Sequence, residues 1–165
     1  MIKLRHLTIE DSKDYWLAHD KISEKNFNSI PKNIQQARKE VNKHIKHYSV
    51  PVNKREEECF AIEYNGEFAG WINIHDISYE HKAVTGSLVA PHFRKKGVGT
   101  KAHKILIKHA FKKYKLKRIS GRLRAFNKAS GRMLEKSGYK FEGRNVKDYK
   151  RNGRYYDHLV YAITR

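Results

Sequence analysis

The sequence predicts an α/β fold: a mixed sheet of seven strands with helices on both faces. Three observations predict it. Strand-like runs at 59–64, 67–74 and 82–90 follow one another closely enough to make a three-strand meander. A strand, a helix and a further strand then succeed one another at 82–90, 98–114 and 117–125, the pattern of a parallel crossover. Two helical periods precede the meander, and a short helix and a hairpin follow the crossover. The predicted order is β-α-α-β-β-β-α-β-α-β-β.

Residues 2–7 (IKLRHL) read as the first strand. Residues 10–22 read as one helix, with Asp11, Tyr15, Ala18 and Ile22 on one face. Asn33 is placed to cap a second helix, because its side-chain oxygen can accept from a first-turn amide. Ile34, Ala37, Val41, Ile45 and Tyr48 keep the helical period, and Pro51 ends the region. Cys59 to Tyr64 form an apolar strand. Asn65-Gly66 then supplies the dipeptide that two-residue hairpins prefer, since both turn positions need positive φ. Residues 67–74 return, and 82–90 run until Pro91. In the helix at 98–114, Val98, Ala102, Ile105, Leu106 and Ala110 are expected to face inward. Residues 117–125 alternate as a strand. Residues 128–137 form a short helix closed by Gly138. Residues 139–149 and 154–163 make a last hairpin around Arg151-Asn152-Gly153. No repeat or Gly/Ser linker divides the 165 residues, so a single domain over 1–165 is expected.

Net charge is +19 and unevenly placed. Residues 1–90 carry 13 Lys plus Arg against 13 Asp plus Glu; residues 91–165 carry 23 against 4, so the whole excess lies in the second half. A general lysine bias would raise both halves. A field confined to one half attracts anions such as nucleotide phosphates, RNA or acidic proteins. With one cysteine, Cys59, no intrachain disulfide can form, and a reducing cytoplasmic setting is expected. The N-terminal MIKLRHLTIED lacks the apolar stretch of a signal peptide. No apolar run approaches the roughly 20 residues that span a bilayer, so no membrane contact is expected. Ten histidines invite a metal, yet no HExxH occurs and His44 and His47 gain no third ligand, so none is expected. His103 and His109 are expected to be solvent-facing or half-buried. Cys59 reads as core rather than nucleophile, and Trp16 and Trp71 as core or as lining of an acceptor site.

The chemistry concentrates between the strand at 82–90 and the helix at 98. There lies Arg94-Lys95-Lys96-Gly97-Val98-Gly99-Thr100. Two glycines two apart allow a tight turn and close approach of a ligand to the backbone. The first helical amides lack internal partners, and with the helix dipole they form an anion site beside three cationic side chains. A pyrophosphate suits such a nest. The segment has neither the GxxxxGK[ST] spacing of a Walker loop nor the third glycine of a GxGxxG fingerprint.

Further pieces occur in order: Ser87-Leu88-Val89-Ala90-Pro91 before this loop, then Asn127-Lys128-Ala129-Ser130 and Leu134-Glu135-Lys136-Ser137-Gly138-Tyr139 after it. Together, residues 83–142 resemble the signature of the GNAT acetyltransferases. Phe141-Glu142-Gly143 and Gly153-Arg154-Tyr155-Tyr156-Asp157-His158 look like the branch that acetylates ribosomal-protein N-termini and its small-molecule relatives.

The resemblance implies a mostly antiparallel sheet whose central parallel pair splays, with the pantetheine of acetyl-CoA in the gap. It assigns Leu88, Val89 and Ala90 to main-chain contact with the coenzyme. The amides of Lys95, Lys96, Gly97, Val98, Gly99 and Thr100 take the pyrophosphate, with help from Arg94 and nearby lysines. The Thr100 hydroxyl caps the helix, contacts phosphate or does both. Asn127 bonds the pantetheine arm. Lys136 either reaches the nucleotide end or is a solvated helix lysine. The reaction implied is direct attack of a neutral amine on the thioester, with a backbone N–H near Val89 donating to the oxyanion. The tyrosine with which many relatives protonate the thiol is replaced by Leu134. Ser130 is the substitute donor, or else a cap at the helix start. No carboxylate precedes the splay. Tyr149, beside Asp148, is placed to pass a proton through water or to shape the acceptor pocket, and Glu142 is a further candidate base. The amine acceptor is a protein N-terminus or a small molecule such as a polyamine, amino sugar or aminoglycoside. The basic half is placed to contact a ribosome or RNA, and a catalytically silent RNA-binding module on this fold is the competing reading. Monomer and homodimer both remain open.

Overall fold

The structure, a computed structural model, describes residues 1–165. Its strands are β1 (Ile2–His6), β2 (Glu57–Tyr64), β3 (Glu67–Ser78), β4 (Lys82–Val89), β5 (Arg118–Arg124), β6 (Lys140–Arg151) and β7 (Arg154–Thr164). Its helices are α1 (Ser12–Leu17), α2 (Lys21–Asn26), α3 (Ile34–Lys46), α4 (Val98–Lys113) and α5 (Lys128–Lys136). One seven-stranded sheet runs in the order β1-β2-β3-β4-β5-β7-β6. Only β4 and β5 are parallel.

Local chemistry sets several of these boundaries. Asn33 caps α3, its Oδ1 accepting from Gln36 N–H at 2.9 Å. Asn65 and Gly66 take φ of 52° and 91°, as the tight β2–β3 hairpin requires. The β6–β7 hairpin turns on Asn152 and Gly153, both at positive φ. Apolar cover lies on both faces. Leu106, Ala110, Ile119, Ile72 and Leu134 pack between the sheet and α4 and α5. Tyr15, Val41, Ala61, Trp71 and Leu88 pack between the sheet and α1 and α3. Trp71 is therefore core, as is Cys59, which is fully buried.

Four expectations are corrected. The helix expected over 10–22 breaks near residues 18–20, because Asp20 is extended and caps a new helix by accepting from Ser23 N–H at 2.9 Å. Ile22, expected to share a helix face with Tyr15 and Ala18, is exposed on α2 while those two are buried. On α4, Ile105 is exposed while Ile107 and Phe111 are buried, so the inward stripe is rotated by about a residue. His103, expected near solvent, is 1% exposed.

Candidate functional site

The parallel pair is short. β4 and β5 are in register only from Lys82 opposite Arg118 to Thr85 opposite Gly121. Beyond that the two strands part, and a cleft of about 720 Å³ opens between them. On its other side β4 stays held by β3: Ala90 N–H donates to Ala69 O at 2.8 Å. Gly70, at φ 140°, lets Leu88 O approach so closely that a Cβ there would lie 2.0 Å from it. Antiparallel alternation then turns the main-chain groups of Leu88 and Ala90 toward β3 and those of Ser87 and Val89 toward the gap. This corrects the expected main-chain role of Leu88 and Ala90. Val89 O accepts from Arg94 Nε at 2.9 Å, which leaves Val89 its N–H.

The mouth of the cleft is the turn into α4. Gly97 takes the left-handed conformation, φ 74° and ψ 6°, which a side chain would strain. Lys101 N–H donates to Gly97 O at 3.0 Å and is the first helical bond. The amides of Val98, Gly99 and Thr100 therefore have no partner within the helix. Lys95, Gly97, Val98, Gly99 and Thr100 all border the cleft, as do Asn127, Ser130 and Lys136 across it. Asn127 Oδ1 accepts from Ser130 N–H at 3.2 Å, so the cap of α5 is Asn127 rather than Ser130. The Asn127 NH2 group is left for a ligand.

Two predicted cations already have partners within the protein. Arg94 donates to Asp20 Oδ2 at 2.7 Å and Oδ1 at 3.1 Å, and the guanidinium holds the Asp20 carboxyl well below its usual range. Its side chain ties the turn to α2 while still bordering the cleft. The Lys96 ammonium lies over the Phe93 ring, 5.7 Å from its centroid.

The three residues proposed for catalysis do not share one cavity. Val89 and Ser130 border the cleft. Tyr149 borders a second pocket of about 600 Å³, between α2 and the β6–β7 hairpin. Arg124, at the end of β5, borders both. Leu134 is buried in the core, so no tyrosine stands in for a thiol donor. Glu142 is exposed and paired with Arg118. Asp148 accepts from the Nδ1 side of His158 at 2.7 Å and pairs with Arg122. The hydrogen bond to His158 lowers the Asp148 carboxyl pKa.

Sequence reasoning missed three participants. Arg124 donates through Nη1 to His158 Nε2, and His158 is held in turn by Asp148. Its guanidinium carbon lies 3.3 Å from the centroid of the Tyr149 ring. Asp20 needs a partner 74 residues away to show its role. His103 lies against Ser87 in the cleft, its Nε2 3.0 Å from Ser87 Oγ, and burial holds the imidazole pKa down to about 4. A charged residue inside an alternating strand was the available signal for Arg124; nothing local marked the other two.

Comparison with known proteins places this geometry. The family model described as acetyltransferase (GNAT) domain matches residues 2–140. The chain is 32% identical over 125 residues to "Probable N-acetyltransferase YjcK" of Bacillus subtilis, across 73% of this chain and 69% of that one. It is 25% identical over 109 residues to spermidine N(1)-acetyltransferase of Escherichia coli K12, across 66% of this chain and 59% of that one, under two thirds of the relative's length. The fold matches RimL, the ribosomal L7/L12 alpha-N-protein acetyltransferase in complex with coenzyme A, with TM-score 0.87 and 18% identity over 99% of this chain and 93% of that one. The splayed pair, the bare amides opening α4 and the family match agree: the chain belongs to the GNAT acetyltransferase family and is an N-acetyltransferase.

Proposed function

We propose that the chain transfers the acetyl group of acetyl-CoA to a primary amine by direct attack on the thioester. One observation carries the reading: β4 and β5 part after Thr85 and Gly121, and the unpartnered amides of α4 stand at the mouth of that gap. The amides of Lys95 to Thr100 take the pyrophosphate, with the Lys95 and Lys136 ammonium groups near it. The pantetheine amides pair with the groups that Ser87 turns into the gap, much as a strand would. A neutral amine attacks the thioester carbon. The N–C bond forms, the C–S bond breaks, and the proton lost by nitrogen leaves through water on the Tyr149 side. The Val89 N–H donates to the developing oxyanion. The Ser130 hydroxyl donates to the departing sulfur.

The acceptor is a protein N-terminus or a small amine, in line with the ribosomal-protein and spermidine acetyltransferases that the chain resembles. The buried lone Cys59 supports action in the cytoplasm. The exposed row Lys101, Lys104, Lys108 and Lys112 on α4 supports contact with a ribosome or RNA.

Thermal melting with acetyl-CoA tests the reading, because ligand at about 100 times Kd adds about 2.7 kcal/mol of stability. The wild type is expected to shift and to release thiol with an amine acceptor. Gly99→Trp is expected to do neither, since even a Cβ at Gly99 would lie 2.6 Å from Met133 Sδ and the indole would fill the cleft mouth. No shift with acetyl-CoA, alongside a salt-sensitive RNA complex, would make the chain a binding module instead.

A further inference from the structure

The pocket beside the cleft holds an unusual cation. Arg124 is 5% exposed, yet it pairs directly with no carboxylate. Its Nη1 meets His158 Nε2, and its Nη2 donates to Asn28 Oδ1 at 2.6 Å. Its Nε is buried and has no partner. Burial and the neighbouring Arg151 both disfavour the charged form, while Tyr149 and Asp148 favour it. Asp148 itself is engaged by His158 and Arg122. A buried guanidinium normally has its charge matched, because desolvation of an unpaired ion costs several kcal/mol.

The surroundings do not match it. Lys21, Lys25 and Arg151 line the same pocket, and Glu24 is the one carboxylate among the lining residues. Arg151 donates to Glu24 O, so the hairpin tip rests on α2 and arches over the pocket. Phe126, half-exposed, and Tyr156 make the apolar wall, their rings edge to face at 5.9 Å. Continuing the parallel register past Thr85 and Gly121 puts Arg124 level with Leu88, between the two amides that face the gap. That is the level of the reacting thioester in the function proposed above, several residues removed from the amides that open α4. The coenzyme phosphates therefore do not account for it.

We propose that Arg124 anchors an oxyanion carried by the acceptor, so that this acetyltransferase takes amines bearing a carboxylate or phosphate close to the amino group and discriminates against polyamines. Coulomb repulsion from Arg124 and its three cationic neighbours raises the energy of a bound polycation, whereas an oxyanion in the pocket offsets the unmatched guanidinium charge in a charge-assisted contact.

The inference rests on the proposed acetyl transfer, and the experiment separates the two. Acetyl-CoA binding is measured first by calorimetry; its absence would remove the transfer reading itself. Thiol release is then followed with matched acceptors: glucosamine 6-phosphate against glucosamine, aspartyl-alanine against aspartyl-alanine amide, and spermidine. The two pairs distinguish phosphate from carboxylate as the favoured group. Wild type is expected to prefer the anionic member of at least one pair by about 30-fold or more in kcat/KM, with spermidine poorest. Arg124→Gln is expected to abolish that preference while changing glucosamine turnover much less, and Arg124→Lys to restore part of it. Lys25→Glu, at an exposed position that the fold tolerates, is expected to weaken the same preference without loss of thermal stability. Equal or faster turnover of spermidine would overturn the proposal. So would an Arg124→Gln defect of the same size for every acceptor, which would place the guanidinium at the thioester oxygen instead.

Discussion

At the scale of single residues, the site depends on side chains whose partners lie far off in the sequence. Ser130 is free to donate because Asn127 has taken over the cap of α5. Ser130→Ala is therefore expected to lower kcat by roughly ten- to a hundredfold, the worth of a hydrogen bond to a charged group, with the KM for acetyl-CoA little changed. Steady-state kinetics with both substrates varied will check this, and an unchanged kcat removes Ser130 from the reaction. His103 supplies a second test. Its imidazole titrates near 6.5 when unfolded and near 4 when folded, so the unfolded chain binds the extra proton. Its penalty is absent above pH 6.5 and grows as pH falls from there toward 4. His103→Gln keeps a partner for Ser87 and cannot titrate. Denaturant midpoints between pH 7 and pH 4.5 are expected to fall less steeply in this variant than in the wild type. A half-buried carboxylate acts in a separate window: Glu57 is held down to about 2 despite its desolvation, through its contact with His44, so its stabilisation is lost only below its ordinary 4.5.

At the scale of elements, β4 controls the cleft. Its C-terminal half follows β3, not β5, and Gly70 is what permits that approach. Gly70→Ala would place a Cβ against the backbone oxygen of Leu88 at a φ that is nearly glycine-only. A loss of about 1–3 kcal/mol is expected, together with weaker acetyl-CoA binding as β4 is pushed into the gap. Melting curves and calorimetry on one preparation will measure both, and unchanged coenzyme affinity would detach the gap from Gly70. Much of this layer was legible in the sequence because its causes are local. The Asn33 cap, the Asn65-Gly66 turn and the strand–helix–strand crossover each follow from a few adjacent residues. The break at residues 18–20 was not legible. Asp20 looks like one more polar residue on a helix face until Arg94 is brought to it across the fold. The same holds for His103 and Arg124: their polarity could be read, but the strands opposite them could not. Position, not residue type, also decided the roles of Leu88 and Ala90, since a shift of one residue reverses which neighbour a strand's amides address.

At the scale of the whole molecule, charge is the feature that composition exposed and the fold then distributed. Lys101, Lys104, Lys108 and Lys112 recur at helical spacing on the exposed side of α4, away from the apolar stripe. Lys104→Glu with Lys108→Glu is expected to flatten the salt dependence of RNA or ribosome binding and to leave acetyl-CoA affinity unchanged. Filter binding at several salt concentrations will measure the slope, which changes with each phosphate contact removed. A slope equal to that of the wild type would take α4 out of any nucleic-acid contact.

The arch that the β6–β7 hairpin makes over α2 has a kinetic consequence. Two pockets open on either side of Arg124, and with coenzyme in one and amine in the other neither would need to leave before the other enters. Double-reciprocal plots should therefore intersect rather than run parallel. Bracing the hairpin tip to α2, by contrast, should slow only the traffic of the amine and its acetylated product.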